Sequence, residues 1–117
     1  MRSAAVLALA GAALVAAPAT AAAPKPRTVK IADNYYLPAK LKVKPRTKIV
    51  WRWPAEAGDV HDVKLKSAPK GVKKFHSQPA SASYAFKRTL EKPGRYKIVC
   101  TLHEEMKMTI TVRRTGS

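Results

Sequence analysis

The sequence predicts an all-β fold, an antiparallel β-sandwich of seven to eight strands, from three observations. After residue 28, apolar residues alternate with polar or charged ones at a period of two, which is the pattern of half-buried strands. None of these stretches shows the 3.6-residue period of a helix, and clusters of Gly, Pro, Asn and Asp separate one stretch from the next. The 117 residues and the 46% hydrophobic content fit one globular domain with its own core.

Each predicted strand is marked by core-facing residues that stand two positions apart. In chain order they are Val29 and Ile31; Leu41 and Val43; Ile49, Trp51 and Trp53; Val63 and Leu65; Tyr84 and Phe86; Tyr96 and Ile98; and Ile110 and Val112. The predicted turns are Asp33-Asn34, Lys44-Pro45, Ala57-Gly58-Asp59, Ala68-Pro69-Lys70-Gly71 and Lys92-Pro93-Gly94. Lysines at the outward positions discourage edge-to-edge pairing between molecules, so a monomer is expected.

Residues 1–23 are predicted to be a secretory signal peptide. Arg2 carries the single positive charge ahead of an apolar stretch from Ala4 to Ala17, and small residues continue to Ala23. The apolar stretch is close to the lower limit of a membrane span, so a retained anchor is the alternative. The folded domain is then 24–117, and we expect it to be exported to the periplasm or the cell exterior.

The segment from Cys100 to Met106 brings together three side chains that bind soft metals. Cys100 is the single cysteine, which excludes an intrachain disulfide, and its strand parity predicts that its sulfur points into the core. His103 and Met106 follow in a predicted loop before the last strand. His61 starts the predicted strand that contains Val63 and supplies a second imidazole.

These donor types point to copper. A thiolate, two imidazoles and a weak thioether are the ligands of the trigonal blue-copper site, because sulfur and imidazole together favour copper over harder ions. We therefore predict His61, Cys100, His103 and Met106 as ligands of one copper ion that alternates between Cu(I) and Cu(II). Met108 is the rival axial ligand.

Several segments resemble the cupredoxin family, of the plastocyanin, pseudoazurin and amicyanin type. They are Ile49-Val50-Trp51-Arg52-Trp53, His61-Asp62-Val63, Phe75-His76-Ser77, Lys92 to His103, Met106 and Ile110-Thr111-Val112. The resemblance implies a Greek-key sandwich with an upstream His, the Cys and a loop His as equatorial ligands and a Met as axial ligand. It also favours Met106, because the family commonly has Val or Ile four and six residues after that Met, as Ile110 and Val112 stand here.

Two features depart from the family pattern. Trp53 occupies the position where the resemblance implies an asparagine that ties the ligand loops together, and the loop from Trp53 to His61 is longer than usual. Both concern the residues around the ligands, which set the redox potential.

The resemblance implies a carrier of single electrons, not an enzyme, with the edge of His103 as the port for the electron. Thr101, Leu102 and residues near Pro38 are expected to form an apolar patch around that port. Two other functions remain: copper binding or delivery without electron transfer, and a metal-free basic interaction module. We expect no small-molecule substrate, because four protein ligands leave no open position on the ion.

The net charge of +16, from 23 Lys and Arg against 7 Asp and Glu, predicts an acidic redox protein as partner, and an anionic membrane or cell wall as a further surface. Nucleic acid is not expected, because the basic residues are spread over the strands without stacking aromatics.

The remaining candidate residues are assigned to roles outside the copper site. Trp51 and Trp53 are expected in the core, and His76 on the surface. Glu104 and Glu105 are expected to be solvated.

Overall fold

A computed structural model of the chain describes residues 22–114. The predicted signal peptide lies outside the described residues except for its last two positions. Eight strands are present in the described part: β1 Arg27–Ala32, β2 Tyr35–Leu37, β3 Lys40–Val43, β4 Thr47–Arg52, β5 Lys64–Ser67, β6 Ala85–Leu90, β7 Gly94–Cys100 and β8 His103–Val112. The predicted all-β sandwich is therefore confirmed.

The strands form two four-stranded sheets, in the orders β2-β1-β4-β6 and β3-β8-β7-β5. We call them the first and the second sheet. Most neighbours are antiparallel as predicted, but the prediction was wrong for two pairs, because β1 pairs with β4 and β3 pairs with β8 in parallel. Parallel partners need a crossover connection: between β1 and β4 the chain crosses to the second sheet, forms β3 and returns. Alternation of apolar residues does not reveal strand direction, so the sequence could not distinguish these two pairs.

The core lies between the two sheets and is built from the alternating residues of every strand. Trp51 is fully buried and packs against Phe75 and Phe86, with ring centroids 5.9 Å away in both cases. Trp53 is also buried, and its ring centroid lies 4.8 Å from that of Tyr84. Both tryptophans therefore occupy the core, as predicted. Burial of each large apolar side chain contributes about 1.5–3 kcal/mol to folding.

In the part of the chain that the structure covers, no helix has the length and apolar character needed to span a membrane.

Candidate metal centre

Two predicted donors flank the tight turn between β7 and β8. Cys100 is the last residue of β7, His103 is the first of β8, and the two are register partners. Only Thr101 and Leu102 separate the strands. The prediction that His103 and Met106 lie in a loop was therefore wrong, because β8 begins at once and contains both of them.

His61 approaches the same turn from the segment before β5. It is 2% exposed and is held by two backbone hydrogen bonds with Ala80, from the His61 amide at 2.9 Å and from the Ala80 amide at 3.0 Å. The strand itself starts at Lys64, three residues later than predicted. His61 and Val63 are both buried as predicted, but Asp62 between them is buried too, so burial does not alternate here.

The donor atoms of His61, Cys100 and His103 all lie within 4.8 Å of one another. The two imidazole Nδ1 atoms are 3.2 Å apart, and the Cys100 Sγ lies 3.6 Å from the His103 Nδ1. Ligand nitrogens about 2.0–2.1 Å from a first-row ion at tetrahedral angles lie about 3.3 Å apart, and a thiolate at about 2.3 Å lies about 3.6 Å from such a nitrogen. The two distances that His103 makes therefore match those between donors that share one small ion.

The two methionines occupy different levels of β8. Met106 and Met108 both point into the core, at 0% and 3% exposure. Met108 is the register partner of Ile98, and its Sδ accepts a hydrogen bond from the Trp51 indole at 3.4 Å. Met106 lies two residues nearer to the turn that holds Cys100, and none of the hydrogen bonds found within residues 22–114 involves its sulfur.

Asp33, in the turn between β1 and β2, fixes the orientation of His61. Its Oδ1 accepts a hydrogen bond from the His61 Nε2–H at 3.0 Å and another from the Asp59 amide at 3.0 Å. These two hydrogen bonds lower the pKa of the Asp33 carboxyl, and the bond from His61 has the larger effect. With its Nε2 protonated, the His61 ring directs the lone pair of Nδ1 toward the other donors.

Gly58 makes room for this carboxylate. A Cβ at position 58 would stand 2.7 Å from the Asp33 Oδ1, which is closer than real side chains approach. Sequence reasoning assigned Gly58 to a turn and gave Asp33 no role in the site, because no local signal links residues 28 positions apart.

The residue that joins the two ligand segments is Asp62, which sequence reasoning also missed. Its carboxylate is buried and accepts hydrogen bonds from the Thr101 amide at 2.7 Å, from the Thr101 hydroxyl and from the His76 Nε2 at 2.8 Å. Its carbonyl oxygen accepts from the Tyr36 hydroxyl at 2.7 Å, and burial raises the pKa of Tyr36. Asp62 follows His61 directly and Thr101 follows Cys100, so this bridge holds two donors together.

The hydrogen bonds of this bridge also determine the direction in which the pKa of Asp62 shifts. Burial by itself raises the pKa of this carboxyl, but the hydrogen bonds from Thr101 and His76 outweigh burial and lower it. Asp62 is therefore ionised at neutral pH. His76 lies on the surface, half-exposed, as predicted, and its contact with Asp62 was not foreseen.

His103 forms the exposed edge of the site. Its side chain is 22% exposed, and its Nε2 lies 3.8 Å from the Asp59 carboxylate. Two apolar side chains that are sequence neighbours of the ligands are open to solvent: Leu102 at 52% and Val60 at 46%. Leu102 was predicted in an apolar patch, whereas Val60 was not.

We call the end of the sandwich that carries these donors the donor pole; it consists of residues 32–35, 53–63 and 100–106. These three segments contain no Lys or Arg. They hold six of the seven acidic residues of the chain, namely Asp33, Glu56, Asp59, Asp62, Glu104 and Glu105. Glu104 and Glu105 are exposed, as predicted. The pole is thus acidic on a strongly basic protein.

The amino-acid sequence matches the model of a known protein family. The family model described as a cupredoxin-like domain matches residues 5–112. Among curated protein sequences, none is similar enough to count as a match.

Solved structures with the same fold include copper proteins. The reduced Cu(I) form of an amicyanin variant at pH 4 has 25% identity and a TM-score of 0.65, over 74% of this chain and 81% of that one. A pseudoazurin from Sinorhizobium has 21% identity and a TM-score of 0.65, over 80% and 77% of the two chains. A copper-containing nitrite reductase from Thermus scotoductus has 26% identity and a TM-score of 0.64, over 86% of this chain but 25% of its own. With the family model covering nearly its whole length, the chain belongs to the cupredoxin family.

Proposed function

We propose that this protein is an exported type 1 copper protein that carries single electrons between redox proteins. The observation that carries the proposal is the convergence of one imidazole nitrogen each from His61 and His103 with the Cys100 Sγ, all within 4.8 Å of one another at one end of the sandwich. Two imidazoles and a thiolate are the equatorial donors of blue-copper sites. The similarity to amicyanin, whose Cu(I) form is known, supports the same ion here.

Met106 completes the proposed ligand set as the weak axial donor. Its sulfur lies on the inner face of β8, two residues nearer to the Cys100 turn than the sulfur of Met108. The Met108 sulfur is engaged by the Trp51 indole. Bound copper supplies a one-electron couple, and a site of mixed sulfur and nitrogen donors suits both of its oxidation states.

The protein side chains provide rigidity, burial and one route for the electron. His61 donates a hydrogen bond to the Asp33 carboxylate and the Thr101 amide donates one to the Asp62 carboxylate, so the metal donors keep their positions when the charge of the site changes. Cys100 and His61 are buried, which excludes water. The partly exposed ring of His103 is the port for the electron, with Leu102 as the adjacent apolar contact.

We infer a carrier and not an enzyme. With Met106 as the fourth ligand, the site has no open position for a substrate. The similarity covers 81% of the amicyanin chain but 25% of the nitrite reductase chain, so most of the nitrite reductase has no counterpart in the matched region.

The proposed partner is another redox protein. We propose that the protein encounters it outside the cytoplasm, as a monomer. The net charge of +16 attracts acidic surfaces at long range, and on this ground we propose an acidic partner. The donor pole itself is acidic, so the basic strands supply the attraction at long range, and contact at the pole relies on the exposed apolar side chain of Leu102.

Visible absorption and electron paramagnetic resonance of the copper-loaded protein test the proposal. We expect an intense blue colour that reductant bleaches and that Cys100→Ser abolishes. His76→Ala is the control for loss of an imidazole that is not a proposed ligand, and the colour should persist because both Thr101 bonds still hold Asp62. A pale, readily exchanged copper complex indicates copper delivery instead, and failure to retain copper indicates an interaction module; either outcome rejects the electron carrier.

A further inference from the structure

The outward face of the second sheet carries a compact array of positive charge. Its strands point six basic side chains to solvent, at alternating positions that the register aligns: Lys40 and Lys42 on β3, Lys107 on β8, Arg95 and Lys97 on β7, and Lys64 on β5. We call this array the cationic face. All six side chains are exposed, and none of the ion pairs among the described residues involves them.

The register fixes the spacing of these charges. Lys40 and Lys97 both align with Thr109, and Lys42 and Arg95 both align with Thr111. Since strands lie about 4.8 Å apart and alternate residues about 6.7 Å apart, the six cations occupy roughly 14 Å by 13 Å. Neighbouring charges therefore stand within about one Debye length of each other at 0.1 M salt and repel. A dense anionic surface relieves that repulsion.

The chemistry of the face favours the headgroups of a membrane. The large apolar side chains that are exposed among the described residues are Tyr35, Leu37, Val60 and Leu102, and none of them lies on the cationic face. Contact there is consequently electrostatic, between the basic side chains of the sheet face and the phosphates of the headgroups. Basic clusters of this size bind anionic leaflets.

Charge segregation orients the bound protein. Glu105 is the acidic residue on the outward side of β8, and it stands at the border with the donor pole. The pole holds six of the seven acidic residues and no Lys or Arg, so an anionic surface repels it. The pole also lies at the end of the strands, not on the sheet face. An attached molecule therefore directs His103 parallel to or away from the bilayer.

We propose that the cationic face docks this protein on a membrane containing anionic phospholipid and leaves the donor pole free for its partner. This restricts the search for a membrane-associated redox partner to the plane of the bilayer. The proposal rests on the charge pattern and not on copper, so the absence of blue colour leaves it standing, and its own failure leaves the copper site untouched.

Sedimentation with vesicles tests it, using protein purified from the exported fraction. Vesicles of phosphatidylcholine with phosphatidylglycerol should bind the protein, and binding should weaken with salt. The triple variant Lys40→Gln, Lys42→Gln, Lys97→Gln should lose about 100-fold in partition coefficient, since each basic residue near the surface contributes about fivefold.

The matched control removes the same charge from the other sheet. Lys30→Gln, Lys48→Gln, Lys87→Gln changes three exposed outward lysines of the first sheet, and we expect it to lose less than about tenfold. An equal loss in both variants overturns the proposal, because net charge alone then explains binding. So does equal binding to pure phosphatidylcholine, or binding to soluble polyphosphate without binding to vesicles.

Hydrogen exchange on the vesicles reads the orientation directly. Amide exchange in β3 and β7 should slow, while exchange in residues 100–106 stays as in free protein. Slowing confined to residues 100–106 contradicts the proposed face. Unchanged urea midpoints for both triple variants show that the lysine substitutions leave the fold intact.

Discussion

Replacing Asp62 by alanine removes the carboxylate that joins the two ligand segments. The carboxylate is 3% exposed and accepts three hydrogen bonds, two from Thr101 and one from His76. A hydrogen bond to a charged group contributes about 1.5–3 kcal/mol, and three that share one carboxylate add to less than their sum. We therefore expect Asp62→Ala to lower the free energy of unfolding of the metal-free protein by about 2–4 kcal/mol.

Asp62→Asn is the informative companion variant. The asparagine carbonyl still accepts from the Thr101 amide, and its NH₂ group donates to the Thr101 hydroxyl, which accepts as readily as it donates. Neutral His76 presents a lone pair to the same NH₂ group. We expect a loss of about 1 kcal/mol at neutral pH.

The pH dependence distinguishes the charge of Asp62 from its shape. Its pKa in the folded protein is below the ordinary value of 3.8, so the unfolded chain binds the proton more readily. The stabilisation is complete above that ordinary value and is lost as the pH falls through the folded pKa. Asp62→Asn lacks this titration, so its stability should decline less on acidification than that of the natural protein.

Urea unfolding followed by the fluorescence of Trp51 and Trp53 measures both effects between neutral and acidic pH. Both tryptophans are buried, so unfolding changes their emission. The reasoning is refuted if the Ala variant lies within about 0.5 kcal/mol of the natural protein, the usual range of surface substitutions. It is equally refuted if the Asn variant loses as much stability in acid as the natural protein does.

Three further predictions concern the ion and the electron. Asp33→Asn should weaken Cu(I) affinity about 10–100-fold, as measured by competition with a chelator. Gly58→Ala should also weaken Cu(I) affinity, because the added methyl group displaces the Asp33 carboxylate. If both variants bind Cu(I) as tightly as the natural protein, Asp33 has no role in the site. Met106→Leu should shift the reduction potential and the visible spectrum of the copper-loaded protein. Met108→Leu should lower the stability but leave the potential and the spectrum nearly unchanged. If Met108→Leu instead shifts the potential and the spectrum and Met106→Leu does not, Met108 is the axial ligand. Reduction of the copper-loaded protein by the cation hexaammineruthenium(II) should slow as salt is added, because the acidic donor pole attracts the cation; acceleration by salt would show that the net charge governs the encounter.

The sequence predicted the elements of this fold well because burial follows strand parity so closely. Val29, Ile31, Ile49 and Trp51 are all buried at the predicted positions. Alternation is a local signal, and one face of each strand packs against the opposite sheet. Strand direction depends on which strands become neighbours, and this is decided by packing across the whole chain. The two parallel pairs were therefore beyond the reach of the pattern.

The same division holds for the site. His61, Cys100 and His103 were found from residue type and phase, since metal binding demands particular donor atoms. Asp33 and Asp62 hold those donors through contacts across 28 and 39 residues. An aspartate in a turn or beside a histidine has many ordinary uses, so nothing in the sequence separates these two from other acidic residues.

The net charge of the chain and the charge of the donor pole have opposite signs, and for the proposed electron carrier this affects how a partner is selected. At about 0.1 M salt, charges beyond roughly 10 Å of a contact are largely screened. Around His103 the acidic residues of the donor pole include Asp33, Asp59 and Glu104, and its segments contain no Lys or Arg. A partner that approaches from a distance responds to the basic strands, whereas one already at the port responds to these carboxylates. Orientation by the strands and contact at the pole are thus separate steps, and variants of the two regions should alter them independently.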